Sequence, residues 1–179
     1  MRIVAGDFKG RRLFMPEGRD VRPTTEKVKE AIFSMIQFEV PDAVFADIFS
    51  GTGSMGLEAL SRGAEKCYFC DKSPASLALI RQNIELCRAE EWSEVMAGDY
   101  TKTIPGLPEK ADIIFLDPPY KKELLPECFR LIREYDRLSE DGIIVAEHGE
   151  RETLPEVFEG YTKIKEKQYG SIVVSVFTP

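Results

Sequence analysis

Four consecutive residues, Asp117-Pro118-Pro119-Tyr120, set a carboxylate, two prolines and an aromatic ring directly behind the apolar run Ile113-Ile114-Phe115-Leu116. Such a run reads as a buried strand, so the tetrad is delivered to one sheet edge. That set suits a planar amino group on an exposed base. The carboxylate and a backbone carbonyl accept its N–H bonds, and the tyrosine ring stacks on the base. Asp-Pro alone only starts a turn. The second proline and the tyrosine, coming after four apolar residues, favour the binding role.

A second set of residues suggests a cofactor. Asp47 precedes Ser50-Gly51-Thr52-Gly53-Ser54-Met55-Gly56. Glycines there let backbone approach a ligand, and the helix that follows offers free N–H groups. The spacing Gly51-x-Gly53-x-x-Gly56 matches the dinucleotide fingerprint, a weak signal by itself. A pyrophosphate would need those N–H groups, whereas a carboxylate at Asp47 suits a ligand carrying an ammonium group. Asp71, at the end of the next strand, is spaced to accept from ribose hydroxyls. Asp99 is placed to accept from an adenine amino group, with Tyr100 covering the ring. Three acidic strand ends around a glycine turn favour S-adenosylmethionine, which is an amino acid, a ribose, an adenine and a cationic sulfonium.

These residues need a scaffold, and the hydrophobic pattern supplies one. Residues 1–23 read as a small hairpin and a loop. A helix capped by Thr24 or Thr25 follows, with Val28, Ala31, Ile32, Met35 and Ile36 on one face. From residue 43 strands and helices alternate. Strands are expected at 43–49, 66–71, 93–97, 112–117, 142–147, 161–167 and 171–177. Helices are expected at 54–62, at 74–87 behind the cap Ser73, and at 126–135. A tight turn at Tyr169-Gly170 makes the last two strands antiparallel. The fold class is therefore α/β, a doubly wound and mostly parallel seven-stranded sheet, whose ligands bind outside the carboxyl ends of the strands.

Composition excludes several classes. The chain has 179 residues, 43% hydrophobic and 31% charged, which suits a single domain. No apolar run reaches the ~18 residues of a membrane span, and the first residues lack the apolar block of a signal peptide. A cytoplasmic protein without membrane association is expected. Cys67 and Cys70 form a C-x-x-C with no second pair at metal-site spacing, so no metal is expected. His148 has no evident partner. Net charge is −7, yet residues 1–30 hold eight basic and five acidic positions, which leaves +3 there and −10 elsewhere. A confined contact with phosphate is one reading of that asymmetry; a solvated surface hairpin is the other.

Taken together, these residues resemble class I S-adenosylmethionine-dependent methyltransferases with a D-P-P-Y motif. Nearly the whole chain resembles, more specifically, the bacterial 16S ribosomal RNA guanine-N2 methyltransferase family. That resemblance rests on Met1-Arg2-Ile3-Val4-Ala5-Gly6, Gly10-Arg11-Arg12-Leu13, Arg22-Pro23-Thr24-Thr25, Asp47 to Gly56, Glu58 to Ala64 and Phe115 to Tyr120. Ser50 stands where alanine is commoner. The resemblance implies transfer to the exocyclic amine of one guanine in small-subunit rRNA; a monomer is expected, and the acidic body with its small basic patch suits a ribosomal particle better than naked RNA. Asp117, Pro118, Pro119 and Tyr120 would be catalytic. Asp47, Ser50, Gly51, Gly53, Asp71, Asp99 and Tyr100 would hold the cofactor, and Arg2, Lys9, Arg11, Arg12, Arg22 and Thr24 would meet RNA. Residues 1–38 would form a basic extension on a 43–179 catalytic core. A DNA amino-methylase would share the tetrad but needs a target-recognition region for which this chain has no room. A non-catalytic module that holds RNA or a nucleotide could keep the same fold, and so could a nicotinamide-dependent oxidoreductase.

Overall fold

A computed structural model describes residues 1–17, 23–119 and 123–179, with the side chains of 23–25 outside that description. Five strands run parallel: β1 (Val44–Asp47), β2 (Lys66–Asp71), β3 (Ser93–Ala97), β4 (Ala111–Leu116) and β5 (Leu138–Gly149). Three more close the sheet by antiparallel pairing: β6 (Val157–Phe158), β7 (Tyr161–Tyr169) and β8 (Ile172–Thr178). The order across the sheet is β3-β2-β1-β4-β5-β8-β7-β6. Between β1 and β4 the chain switches from building one half of the sheet to building the other, and such a switch point opens a crevice at the carboxyl edge.

The sheet has eight strands, one more than the seven expected. The extra strand, β6, is two residues long, too short for alternation to reveal. It pairs Val157 with Thr162 and Phe158 with Tyr161. Phe158 is held there by the edge of the Phe129 ring, 4.7 Å away between centroids. A further difference lies after β3. Tyr100–Gly106 forms a short helix, α4, capped by Asp99, where no helix was expected. Its two threonines and a Pro-Gly ending hide the helical signal.

Alternation sorts the strand residues onto two faces. Phe45, Phe69, Phe115 and Val145 pack with α1 (Pro23–Met35), α2 (Ser54–Ser61), α3 (Pro74–Leu86) and the N-terminal hairpin. Ala46, Tyr68, Leu116 and Ala146 face α4 and α5 (Leu125–Glu134). The same period explains the C-x-x-C. Residues three apart in a strand point to opposite faces, so Cys67 is buried in the first layer and Cys70 in the second. His148 is buried too, with Nε2 2.9 Å from the Ser175 hydroxyl.

The N-terminal segment is tied to the core by a buried ionic knot. Glu58, fully buried on α2, accepts from the backbone N–H groups of Val4 (2.9 Å) and Ala5 (3.1 Å) and from Arg62 Nε (2.9 Å). Lys29 of α1, 2% exposed, lies 3.1 Å from Glu58 and donates to the Arg2 carbonyl and the Ser54 hydroxyl. Burial pulls the Lys29 ammonium below its ordinary pKa, and Glu58 opposes that pull. Gly6 (φ +85°) passes so close to Ser61 that any side chain would strike its backbone.

Removing Glu58 would leave a buried, uncompensated ammonium. Glu58→Ala is expected to cost about 3–5 kcal/mol in chemical denaturation and to expose residues 1–17 to protease. A loss below about 1 kcal/mol would contradict the assigned role of the knot.

Candidate active site

The glycine turn that follows β1 is shaped by two carboxylates. Gly51 and Gly53 adopt φ of +61° and +86°, a region open to glycine at little cost. Asp71, at the end of β2, accepts from the Gly51 N–H (2.9 Å) and the Ser73 N–H (2.9 Å). Asp47 lies beneath the turn. Its Oδ2 accepts from the Ser50 hydroxyl (3.1 Å) and the Gly56 N–H (3.3 Å), while its Oδ1 is buried with no partner among the described residues. Burial pushes the Asp47 carboxyl up to about 7, with a smaller contribution from Asp71, against those two hydrogen bonds. The hydroxyl of Ser50 thus helps to satisfy a buried acid. Gly56 is the close-packing glycine, since a Cβ there would fall 2.4 Å from the Phe69 ring.

Two cavities flank this turn. One, of about 430 Å³, is lined by Phe49, Gly51, Asp71, Asp99, Tyr100, Asp117, Pro118 and Pro119, among others. Asp99 accepts from the Thr101 N–H and hydroxyl and sits 3.9 Å from Lys72. The Thr101 bonds are the chief cause of its carboxyl lying below the ordinary range. Tyr100 occupies the first turn of α4. Its ring leans on Phe49 at 5.7 Å, and its hydroxyl donates to Glu127 (2.8 Å); burial first, and then that bond, raise the phenol pKa. Phe49 and Tyr100 form an aromatic corner beside two carboxylates, the groups a nucleoside requires.

The second cavity, of about 400 Å³, shares Phe49, Gly51 and Asp117 with the first and adds Lys29, Thr52, Ser54, Glu147 and an apolar wall that includes Met1, Met15 and Ile172. Asp117 therefore stands where the two spaces meet. The register that sets Leu116 opposite Ala146 carries on to set Asp117 beside Glu147. Both carboxyls are pushed up, first by burial; for Asp117 the neighbouring Glu147 adds to the rise. Pro118 is buried and Pro119 exposed.

The structure brings Asp47, Ser50, Gly51, Gly53, Asp71, Asp99, Tyr100, Asp117, Pro118 and Pro119 to one edge of the sheet. Asp47 differs from expectation in acting through the turn, since it lines neither cavity. Tyr120 and Arg22 lie outside the described residues, as does the Thr24 side chain. Glu147, Phe49 and Lys29 were not anticipated. The signal for Glu147 was present, because it ends its expected strand with an acid just as Asp47, Asp71 and Asp117 do. On the N-terminal hairpin, held by the Arg2–Arg12 bridge, Lys9 and Arg12 are exposed. Arg2 is occupied with Glu26 (3.6 Å), and Arg11 donates to the Cys87 carbonyl (2.8 Å) while its guanidinium covers the Phe8 ring.

The raised Asp47 pKa has a definite sign. A folded value near 7, above the ordinary 3.8, favours the fold below pH ~4 and loses that contribution as pH rises through ~7. Across pH 4 to 8, Asp47→Asn is expected to gain up to roughly 4 kcal/mol relative to the parent. Denaturant melts at a series of pH values measure this, and parallel profiles would contradict it.

The family described as "Conserved hypothetical protein 95" matches residues 1–178. The Bacillus subtilis protein YlbH, named provisionally as an rRNA methyltransferase, is 37% identical over 180 residues, covering 99% of this chain and 98% of that protein. Ribosomal RNA small subunit methyltransferase D of Haemophilus influenzae is 31% identical over 96% of this chain and 90% of its own. A solved structure from Escherichia coli, yhhF, described provisionally as a methyltransferase, superposes with a TM-score of 0.85 at 29% identity, over 99% of this chain and 96% of that one. Matched along almost its whole length, the chain belongs to the Conserved hypothetical protein 95 family and has the Rossmann-like fold of class I methyltransferases.

Proposed function

We propose that this protein transfers a methyl group from S-adenosylmethionine to the exocyclic N2 amine of a guanine in small-subunit ribosomal RNA. The observation that carries the reading is the position of Asp117-Pro118-Pro119, at the junction of the nucleoside-type cavity and the space beside Glu147. Relatives named as rRNA methyltransferases support the RNA substrate.

The donor set fits the cofactor. Asp71 retains lone pairs toward ribose hydroxyls, Asp99 and the Phe49–Tyr100 corner suit adenine, and the turn at Ser50 to Gly53, fixed by Asp47, offers backbone to the amino-acid end. Bound there, S-adenosylmethionine supplies an electrophilic methyl on sulfur.

The chain's own contribution is positioning. An amine conjugated to a purine ring is a weak nucleophile, and holding it in line is worth up to roughly 7–11 kcal/mol. Asp117 accepts one N–H and stabilises the positive charge that grows on nitrogen. The Pro118 carbonyl accepts the other, Pro119 stiffens the turn, and Tyr120 stacks on the flipped base. After transfer the amine is acidic, and its proton leaves to Asp117 or to water. The raised pKa of the Asp117–Glu147 pair equips it to take that proton.

RNA is met by the basic extension, residues 1–38, standing on the 43–179 core. The proposal extends to a monomer acting in the cytoplasm on a small-subunit particle, because an acidic body with so small a basic face holds naked RNA weakly.

Asp117→Ala is expected to lower methyl transfer to small-subunit particles at least ~10³-fold while calorimetric affinity for S-adenosylmethionine stays within a few-fold. Near-normal turnover would contradict the assignment. Neutralising Lys9 and Arg12 is expected to flatten the salt dependence of RNA binding by about one unit per lost contact. An unchanged slope would remove the hairpin from the interface. Arg11 is unsuited to that test because its guanidinium also holds the Cys87 carbonyl.

A further inference from the structure

We propose that Glu147 determines base specificity by accepting the ring N1–H of the target guanine, beside the N2 amine that Asp117 holds. The inference rests on the guanine-N2 reading above and assigns Glu147 a role in it. Asp117 and Glu147 end neighbouring parallel strands, whose spacing is about 4.8 Å. They continue the rows Phe115–Asp117 and Val145–Glu147 on one face of the sheet, and both line the same cavity. Asp47, one strand further along that face, is turned inward to Ser50 and Gly56. Lys29, the cation lining this cavity, already contacts Glu58, Ser54 and the Arg2 carbonyl.

With both carboxyls ionised, the pair makes a surface that only accepts hydrogen bonds. Among the four RNA bases, guanine alone presents two neighbouring donor groups on one edge, N1–H and N2–H₂. Adenine and cytosine each set their amine beside a ring nitrogen lone pair, which a carboxylate repels. Uracil has a single N–H between two carbonyls. The cavity's remaining wall, with Met1, Met15 and Ile172, is apolar and suits the flat body of a purine. A guanine edge supplies N–H donors to both members of this crowded acidic pair and so favours its ionised form.

The test needs a substrate that keeps the N2 amine but lacks the N1–H beside it. Mass mapping first identifies the methylated nucleotide. Small-subunit rRNA is then assembled by splint ligation with either guanine or 2,6-diaminopurine at that position. The analogue keeps the N2 amine and a group at position 6 but has a bare lone pair at N1. The wild-type protein is expected to prefer guanine at least ~100-fold in kcat/KM, the kind of discrimination shown by a site built around a hydrogen bond. Glu147→Gln, whose amide can donate to N1, is expected to narrow that preference at least ~10-fold, with S-adenosylmethionine affinity unchanged.

Equal wild-type rates on guanine and 2,6-diaminopurine would overturn the proposal, as would a Glu147→Gln variant with the full preference. Both results leave methylation of guanine N2 standing. Methylation mapped to an adenine or cytosine amine would instead overturn the guanine reading itself. The wild-type comparison decides the matter even if the variant fails to fold.

Discussion

The constraint on which the rest depends is the stacking of like charges along one edge of one sheet face. Asp71, Asp47, Asp117 and Glu147 end four adjacent strands and continue the rows of Phe69, Phe45, Phe115 and Val145. The aromatic and aliphatic residues below fix the strands with no freedom to splay. The acids above are therefore held close and partly dry, a costly arrangement in the absence of partners. Three of them carry raised pKa values, with burial as the leading cause. Asp71 accepts from two backbone N–H groups. A sheet edge in that condition is prepared for donors and for cations, and a sulfonium cofactor beside an exocyclic amine meets both demands.

The N-terminal segment is joined to the same edge through α2. Glu58 holds the backbone of Val4 and Ala5, and Ser54, one turn earlier, meets Lys29. The helix that begins at the glycine turn therefore also anchors the hairpin proposed to touch RNA. Met1 and Met15 of that segment help to close the cavity beside Glu147. The N-terminal segment thus forms part of the wall of the cavity that holds Asp117.

Most of the fold was legible because each strand carries a strong local signal. Lys66–Asp71 and Ser93–Ala97 appear at their expected bounds, and Ser73 caps α3 ahead of Pro74 as its pattern required. What escaped was short or depended on partners. β6 has two residues, too few to show alternation, and although its strand partner Thr162 is close in sequence, the Phe129 ring that holds Phe158 is not. α4 was hidden by weak helix formers, although Asp99 is an ordinary cap. At the site, acids at strand ends could be read directly. Whether each faces a cavity or supports the turn could not, because that depends on the loop's path, and Asp47 proved to lie beneath it. Glu147 shows the same limit from the other side. Its meaning comes from the strand beside it, and pairing across a sheet is not written in local periodicity.

The central claim is a methyl donor held beside a rim that grips a guanine amine. Mass mapping of small-subunit rRNA from cells lacking this protein tests it most directly. The account predicts that a single guanine loses one methyl group at N2, and that the native chain restores it while Asp117→Ala does not. An unaltered methylation pattern, or full restoration by Asp117→Ala, would contradict it.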